Sequence, residues 1–272
     1  MKRRTRAALL VIALVCFAGV SGAHETWILP ASMRVRVAQP VALSVTSGSA
    51  FPHEETSVAA ARIDRSEVRL GNQIDPLPQP QITPHALHYL WTPKVQGVAT
   101  ITIEVVPRSL ELNQSQIKEY FAEIHASPAT IAQWDSVPKP RRWRESYTKH
   151  AVSYVRVGPA SPDSSWKAPM GLTLEIVPES NPASITAGGR LPVRVLFNGS
   201  PLTGFSLGAR LEGRAKSAFV TTDGSGRASV PLLVKGRWLL FGTHLRRTNE
   251  PNLEWRSDFV TVTTYVAPAG TR

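Results

Sequence analysis

The chain has 272 residues, of which 42% are hydrophobic, and a formal net charge of +11 at pH 7. A chain of this length can bury a full hydrophobic core and is long enough for two domains. Its positive charge is spread out, with neither a lysine-rich tract nor a basic helix with interspersed aromatic residues. The composition therefore argues against a nucleic-acid-binding protein.

The first 23 residues have the pattern of a secretory signal peptide. The basic start MKRRTR precedes the apolar run AALLVIALVCFAGV, and Ser21 and Ala23 are small residues of the kind that signal peptidase recognises. The apolar run has 14 residues, whereas a membrane-spanning helix needs roughly 20, and no second run of this kind follows. We therefore predict cleavage after Ala23 and export to the periplasm of a protein that does not span the membrane.

Cleavage also removes the only cysteine, Cys16, together with four basic residues, so that +7 remains of the net charge of +11. Val15 stands where a lipoprotein signal has a small residue, and we therefore do not expect Cys16 to carry a lipid. The mature chain has no cysteine for a disulfide or a thiolate ligand. Any metal site must use nitrogen and oxygen donors.

The segment 24–157 is dominated by short runs in which apolar and polar residues alternate. This period of two, with Val, Ile, Thr and aromatic residues between Gly, Pro and Asn, is typical of antiparallel strands in a β-sandwich. The runs are MRVRV (33–37), VALSV (41–45), HALHYLW (85–91), ATITIEV (99–105) and HAVSYVRV (150–157). We predict an N-terminal β-sandwich domain over 24–157.

One stretch of this domain has a helical period instead. Apolar residues recur there close to every 3.6 positions, with Glu and Gln between them: Leu112, Ile117, Tyr120, Phe121 and Ile124. The spacing predicts one short helix near 113–125 that connects or covers the sandwich. The following VPKPRRWRESYTKH is too rich in proline at its start to continue the helix.

A Pro-rich and Ser-rich stretch, GPASPDSSWKAPMG, marks a change in composition, and we predict a linker at 158–170. Beyond it, further alternating runs are separated by turn sequences at Asn198-Gly199 and Asp223-Gly224, whose residues tolerate positive φ. We predict a second β-sandwich over 171–266, immunoglobulin-like or transthyretin-like. The predicted fold is thus mainly all-β, with two β-sandwich domains and one short connecting helix.

The strongest candidate for chemistry is His24, which becomes the first residue after cleavage. An N-terminal histidine offers two nitrogens, the α-amine and Nδ1, to one ion in a chelate ring, an arrangement called a histidine brace. The pKa of an α-amine is well below that of a lysine, so a divalent metal can displace its proton at neutral pH. This donor pair suits Cu(II) and Ni(II), with Zn and Co behind. The alternative is that signal peptidase tolerates many first residues and that histidine stands here by chance.

Three other histidines are candidates for one or two further ligands, in the order His53, His88 and His244. His53 lies in a predicted loop beside Glu54, His88 lies in a predicted strand, and His244 ends a strand of the second domain that can approach the first. For each, an ordinary surface or hydrogen-bonded histidine is the alternative. Glu25 and Glu54 either orient a ligand imidazole or face water.

Metalloenzyme and calcium patterns are absent from the sequence, which contains no HExxH, no HxH pair and no acidic EF-hand loop. A zinc hydrolase or a calcium site therefore has no local support. We expect a binding protein with no catalytic residues, and not an enzyme.

Several blocks of the chain resemble a known family. They are AHETWILP, FPHEE, KEYFAEI, RRWRESYTKHAVSYVRVG, GLTLEIVPESNPASITAGGRLPVRVLFNGSPLTG, TTDGSGRASVPL and EWRSDFVTVTTY. In this order they are similar to a periplasmic family of unknown-function domains grouped with cobalt and nickel uptake systems. The resemblance covers nearly the whole mature chain. It implies a Gram-negative periplasmic protein with two β-rich domains that binds or delivers a transition metal, with His24 at the metal.

Three functions follow from these observations. The first is a periplasmic protein that binds a divalent transition metal, nickel or cobalt, and assists its uptake with a membrane metal permease as partner. The second is a copper-handling histidine-brace protein or a copper oxygenase, since Cu(II) binds most tightly at almost any such site. The third is a structural or interaction module without metal. We expect the first.

Overall fold

The computed structural model describes residues 24–270, and the predicted signal peptide with Cys16 lies outside the described residues. The N-terminal half, up to residue 157, contains ten strands and two α-helices. The strands before the helices are β1 (Glu25–Pro30), β2 (Arg34–Val35), β3 (Val41–Gly48), β4 (Thr56–Ser57), β5 (Ile63–Leu70), β6 (Gln73–Pro76), β7 (Gln81–Ile82), β8 (Leu87–Trp91) and β9 (Gly97–Leu112). After them come α1 (Gln114–Glu123), α2 (Pro128–Asp135) and β10 (Trp143–Val157).

The C-terminal half contains eight strands. They are β11 (Leu174–Pro178), β12 (Gly189–Phe197), β13 (Ser200–Pro201), β14 (Ser206–Leu211), β15 (Ser217–Thr221), β16 (Arg227–Leu232), β17 (Gly236–Arg247) and β18 (Trp255–Val266). Short 3-10 turns occur at Ala60–Arg62 and Ser165–Lys167.

The strands form three sheets. A central nine-stranded sheet has the order β15-β14-β17-β18-β10-β9-β5-β6, with β2 beside β10. A five-stranded sheet has the order β1-β3-β8-β7, with β4 beside β3, and a four-stranded sheet contains β11, β12, β13 and β16. The central sheet takes strands from both halves of the chain, which meet where β10 pairs with β18 in parallel.

The two smaller sheets cover opposite faces of the central sheet, and the alternation along β10 shows why. Ala151 and Val155 belong to one core, shared with the five-stranded sheet, whereas Val152 and Tyr154 belong to another, shared with the four-stranded sheet. Successive side chains of a strand point to opposite faces, so one strand supplies both cores. The mainly β fold with two sandwiches is confirmed, and the two sandwiches share their middle sheet; the immunoglobulin-like form of the second stays a prediction.

The predicted linker at 158–170 is packed against the sandwiches. The Asp163 carboxylate accepts the backbone N–H of Val98 at 3.0 Å, and the Arg69 guanidinium donates to the carbonyl of Pro169 at 2.9 Å. Trp166 is buried in the second core. These contacts tie the segment to β5 and β9, and the domain bounds themselves stay a prediction.

The structure contains two helices, α1 and α2, in the region where the sequence predicts one. Near 113–125 the chain forms α1 as expected, with the Asn113 side chain accepting the backbone N–H groups of Ser115 and Gln116 in a capping box. The second helix, α2, was missed, so the prediction of a single helix is wrong. Its start is a Ser127 cap followed by Pro128 at the first helical position, a start signal present in the sequence.

The helices cover the end of the central sheet through an aromatic cluster around one buried carboxylate. Glu145 is 0% exposed and accepts hydrogen bonds from Tyr120 Oη at 2.6 Å, from Trp143 Nε1 at 2.8 Å and from the Ser257 hydroxyl. Burial raises the pKa of Glu145, and the three hydrogen bonds act in the opposite direction. Through these bonds Glu145 joins α1, β10 and β18.

Replacing Glu145 by glutamine should lower the free energy of unfolding by about 2–4 kcal/mol, because a neutral amide has one acceptor oxygen for three buried donors. Urea unfolding followed by tryptophan fluorescence measures this. Glu119→Gln, on the exposed side of α1, is the matched control and should change the free energy by less than about 0.5 kcal/mol. Equal effects of the two substitutions would contradict the assigned role of Glu145.

Candidate functional site

β1 is an edge strand of the five-stranded sheet, and its start contacts the central sheet. One edge of β1 pairs with β3, where Glu25 is opposite Gly48, so His24 extends one residue beyond this ladder. Along β1, side chains of the central sheet bind two carbonyl groups. Thr261 Oγ1 donates to the carbonyl of Thr26 at 2.5 Å, and Lys149 Nζ donates to the carbonyl of His24 at 2.5 Å.

Lys149 is a buried cation on β10 that the sequence analysis did not identify. It is 5% exposed, and its Nζ lies 5.4 Å from the ring centre of Tyr147 and 5.7 Å from that of Phe259. Burial lowers the pKa of Lys149 to about 8; the Arg62 charge lowers it further and the Glu25 charge raises it. A lysine within an alternating strand pattern was the available signal, but only the three-dimensional packing shows what it touches.

Glu25 does not face water. Its carboxylate lies 3.3 Å from the guanidinium of Arg210, and its side chain is 15% exposed. Burial raises the pKa of Glu25, and the charge of Arg210 lowers it by less. The carboxylate is therefore engaged by β14 of the second sandwich.

His53 lies at the same end of the β1–β3 pair as His24. The ladder begins with Glu25 opposite Gly48, His24 and Ser49 are the next residues of the two chains, and the turn after Ser49 contains His53. The backbone N–H of His53 donates to the carbonyl of Ala50 at 2.8 Å, and the His53 side chain is exposed. The Glu55 carboxylate accepts the N–H of Ser49 at 2.9 Å and holds the turn in place.

His88 lies well away from His24. His88 is opposite Ser44 on β3, whereas His24 lies near Ser49, five residues further along the same chain. Five residues of a strand span about 16 Å. The two ring nitrogens of His88 lie 3.1 Å from Ser44 Oγ and 3.3 Å from Thr83 Oγ1. The Glu54 carboxylate lies 3.7 Å from the second nitrogen, so Glu54 accompanies His88 and not His24.

His244 projects from the other face of the central sheet. It pairs with Asp258, whereas Lys149 pairs with Phe259, and adjacent residues of a strand point to opposite faces. The His244 ring packs on Phe197 at 4.6 Å, and burial lowers its pKa. It lines a cavity of about 200 Å³ together with His125.

The four candidate histidines thus do not form one cluster. Across residues 24–270 no group of three or more His, Cys, Asp or Glu side chains has a metal-holding arrangement. The ladder register separates His24 from His88, and His244 lies on the other face of the central sheet, whereas Glu54, next to His53, reaches His88. The ligand set stays a prediction, with His53 in the most favourable place for a second residue.

The stretch Gly204 to Gly208 reads GFSLG, the spacing of a serine nucleophile elbow. Ser206 Oγ lies 3.0 Å from Nδ1 of His125, whose ring stacks on Phe219. An elbow places its serine on a turn between a strand and a helix, but Ser206 is the first residue of β14 and a strand follows it. The match therefore lacks the structural context of a hydrolase.

The family model for a domain of unknown function, DUF4198, matches residues 21–245. The chain belongs to this family. No curated protein matches the chain. None of the helices within residues 24–270 has the length and apolar character required to cross a membrane.

Solved structures resemble the DUF4198 chain only distantly. A Salmonella alpha-2-macroglobulin mutant is 10% identical at a TM-score of 0.25, with 94% of this chain and 16% of that chain covered. A Bacteroides ovatus protein from a mixed-linkage glucan utilization locus, in complex with a heptasaccharide, is 10% identical at a TM-score of 0.20, with 85% and 44% covered. The Yersinia pseudotuberculosis adhesin InvE is 9% identical at a TM-score of 0.21, with 90% and 59% covered. The chain thus spans less than two thirds of each of these structures, and superpositions at this level carry no argument.

The buried Lys149 should make stability depend on pH in the alkaline range. The pKa of Lys149 is about 8 in the folded protein and 10.5 in a free lysine, so between these values the unfolded chain binds more protons. The free energy of unfolding should therefore rise from pH 8 to pH 10.5, by up to about 3 kcal/mol.

The measurement is urea unfolding across this pH range for the wild type and for Lys149→Met, in which the rise should be lost. Lys118→Met, on the exposed face of α1, is the control and should keep it. All three proteins contain the same tyrosines, so the difference between the curves isolates Lys149. Parallel curves for the wild type and Lys149→Met would show that Lys149 has an ordinary pKa.

Proposed function

We propose that the mature protein binds one divalent transition-metal ion through the α-amine and the imidazole of His24. The observation that carries this proposal is the contact at the His24 carbonyl. In the described part of the chain the hydrogen bond at His24 uses its carbonyl oxygen and neither ring nitrogen. His24 is also partly exposed. The contact at the carbonyl leaves Nδ1 and, once cleavage has released it, the amine to form one chelate ring with the ion.

The residues around His24 fit such an ion in their donor type. The amine and the imidazole are nitrogen donors of the kind that Ni(II), Co(II) and Cu(II) prefer. His53, exposed on the turn at the same end of β1 and β3, is the best placed source of a further imidazole. Glu25 is paired with Arg210, so we assign it no bond to the ion. His88 ranks below His53 because it lies further along β3 from His24. His244 ranks below His53 because it lies on the other face of the central sheet.

Resemblance to cobalt-associated and nickel-associated periplasmic proteins makes nickel or cobalt the proposed cargo. In this proposal the protein works in the periplasm, hands the ion to a membrane metal permease, and has no enzymatic activity. A copper-handling protein or copper oxygenase is the second candidate, because Cu(II) is the thermodynamically preferred ion for an amine and imidazole pair. A module that binds no metal is the third.

The test is calorimetry with Ni(II), Co(II) and Cu(II) on protein whose first residue, by mass spectrometry, is His24. A form with one extra residue before His24 keeps the imidazole but turns the amine into an amide. This form and His24→Ala should each lose affinity by on the order of a hundredfold, because each removes one of two chelating nitrogens. His53→Ala should lose less, and His125→Ala, an exposed histidine that is not among the candidate ligands, serves as the control.

Each result has a distinct meaning. Unchanged affinity in the extended form would reject the brace, and unchanged affinity in His24→Ala would reject the site. If the correctly processed protein bound none of the three ions, the third candidate, a module that binds no metal, would be favoured. Oxidation of a polysaccharide by the copper-loaded, reduced protein would favour the oxygenase, and stronger retention of nickel or cobalt in competition with a chelator would favour uptake.

A further inference from the structure

The first residue of a chain is ordinarily poorly ordered unless something ties it down. His24 lies before the first ladder pair of β1, between Glu25 and Gly48, so the sheet does not hold it. The contact that the described structure gives its backbone is the hydrogen bond from Lys149 Nζ to the His24 carbonyl, at 2.5 Å. This side chain of the central sheet therefore holds the backbone of the proposed metal-binding residue.

Lys149 is itself held firmly. It lies in the middle of β10, opposite Val105 of β9 on one side and Phe259 of β18 on the other. Its side chain is buried, and its ammonium lies over the rings of Tyr147 and Phe259. A buried ammonium that lost its hydrogen-bond acceptor would be costly, so the contact with the His24 carbonyl stabilises both partners.

Resting on the proposed function, we propose that Lys149 is the positioning residue of the amino-terminal metal site. By holding the His24 carbonyl it fixes the backbone of that residue and leaves the α-amine and the imidazole free on the remaining sides. A chelate of these two nitrogens forms with less loss of conformational freedom when the residue is already ordered. Lys149 acts through His24 and makes no bond to the ion.

The neighbouring contact from Thr261 to the Thr26 carbonyl supplies a matched control. It is also a buried side-chain donor of the central sheet, it binds the same strand, and it has the same donor–acceptor distance, but it acts two residues further from the amino terminus. Thr261→Val removes this bond with little change in shape. Both Lys149→Met and Thr261→Val therefore weaken the anchoring of β1, and only the first one frees His24.

The experiment compares these two variants with the wild type, all beginning at His24, in three measurements. Calorimetry with Ni(II) and Cu(II) should show affinity reduced about tenfold in Lys149→Met and unchanged in Thr261→Val. The electron paramagnetic resonance spectrum of the Cu(II) form should broaden in Lys149→Met alone, because a loose chelate samples several geometries. Without metal, an aminopeptidase should release the first histidine faster from Lys149→Met than from the other two proteins.

Equal affinity, equal spectra and equal release of histidine in the two variants would overturn the role of Lys149. Absence of metal binding in the wild type would instead overturn the proposed function, and the aminopeptidase comparison would still decide whether Lys149 holds His24. If Lys149→Met lacks the near-ultraviolet circular dichroism of the folded protein, Lys149→Gln replaces it. The glutamine is too short to reach the carbonyl, and the same three outcomes apply.

Discussion

The parallel pairing of β10 with β18 is the constraint on which the rest of the molecule depends. It runs from Glu145 opposite Trp255 to Ser153 opposite Thr263 and joins strands that are about a hundred residues apart in the chain. A parallel pair needs a long crossover connection, and here that connection contains β11 to β17, which form most of the second sandwich. The two halves therefore share one sheet, and each smaller sheet covers a different face of it.

A strand covered on both faces cannot send its polar side chains to water. Three buried ionisable residues of β10 have polar neighbours within the protein: Glu145 has three donors, Lys149 has the carbonyl of His24, and His150 lies 3.3 Å from Asp258 and 3.5 Å from Glu104. These contacts follow from burial, because an unpaired buried charge costs far more than a paired one. The contact at His24 thus arises from the same packing requirement that closes the aromatic cluster around Glu145.

Much of the fold could be read from local patterns, because period-two alternation reports directly on strands. The parallel pairing of β10 with β18 could not be predicted, because no local sequence pattern indicates that Glu145 lies opposite Trp255. The short helix α2 carries only the Ser127-Pro128 start and one buried side chain, Trp134, which is too little periodicity to recognise. At the site, His24 was identifiable from the cleavage pattern alone. The role of Lys149 was not, because alternation shows which face a side chain takes but not what covers that face.

The atom that Lys149 binds has a consequence for when the proposed site comes into being. The hydrogen bond uses the carbonyl oxygen of His24, which is present whether the preceding nitrogen is an amide or a free amine. The packing of β1 on the central sheet therefore places no demand on that nitrogen. Chelation requires that this nitrogen be a free amine, because an amide nitrogen keeps its proton at neutral pH whereas an α-amine gives its proton up to a divalent ion. Under the proposed function, signal peptide removal supplies the second donor without requiring any change in the contacts that hold His24, so export and metal competence are coupled by one covalent step.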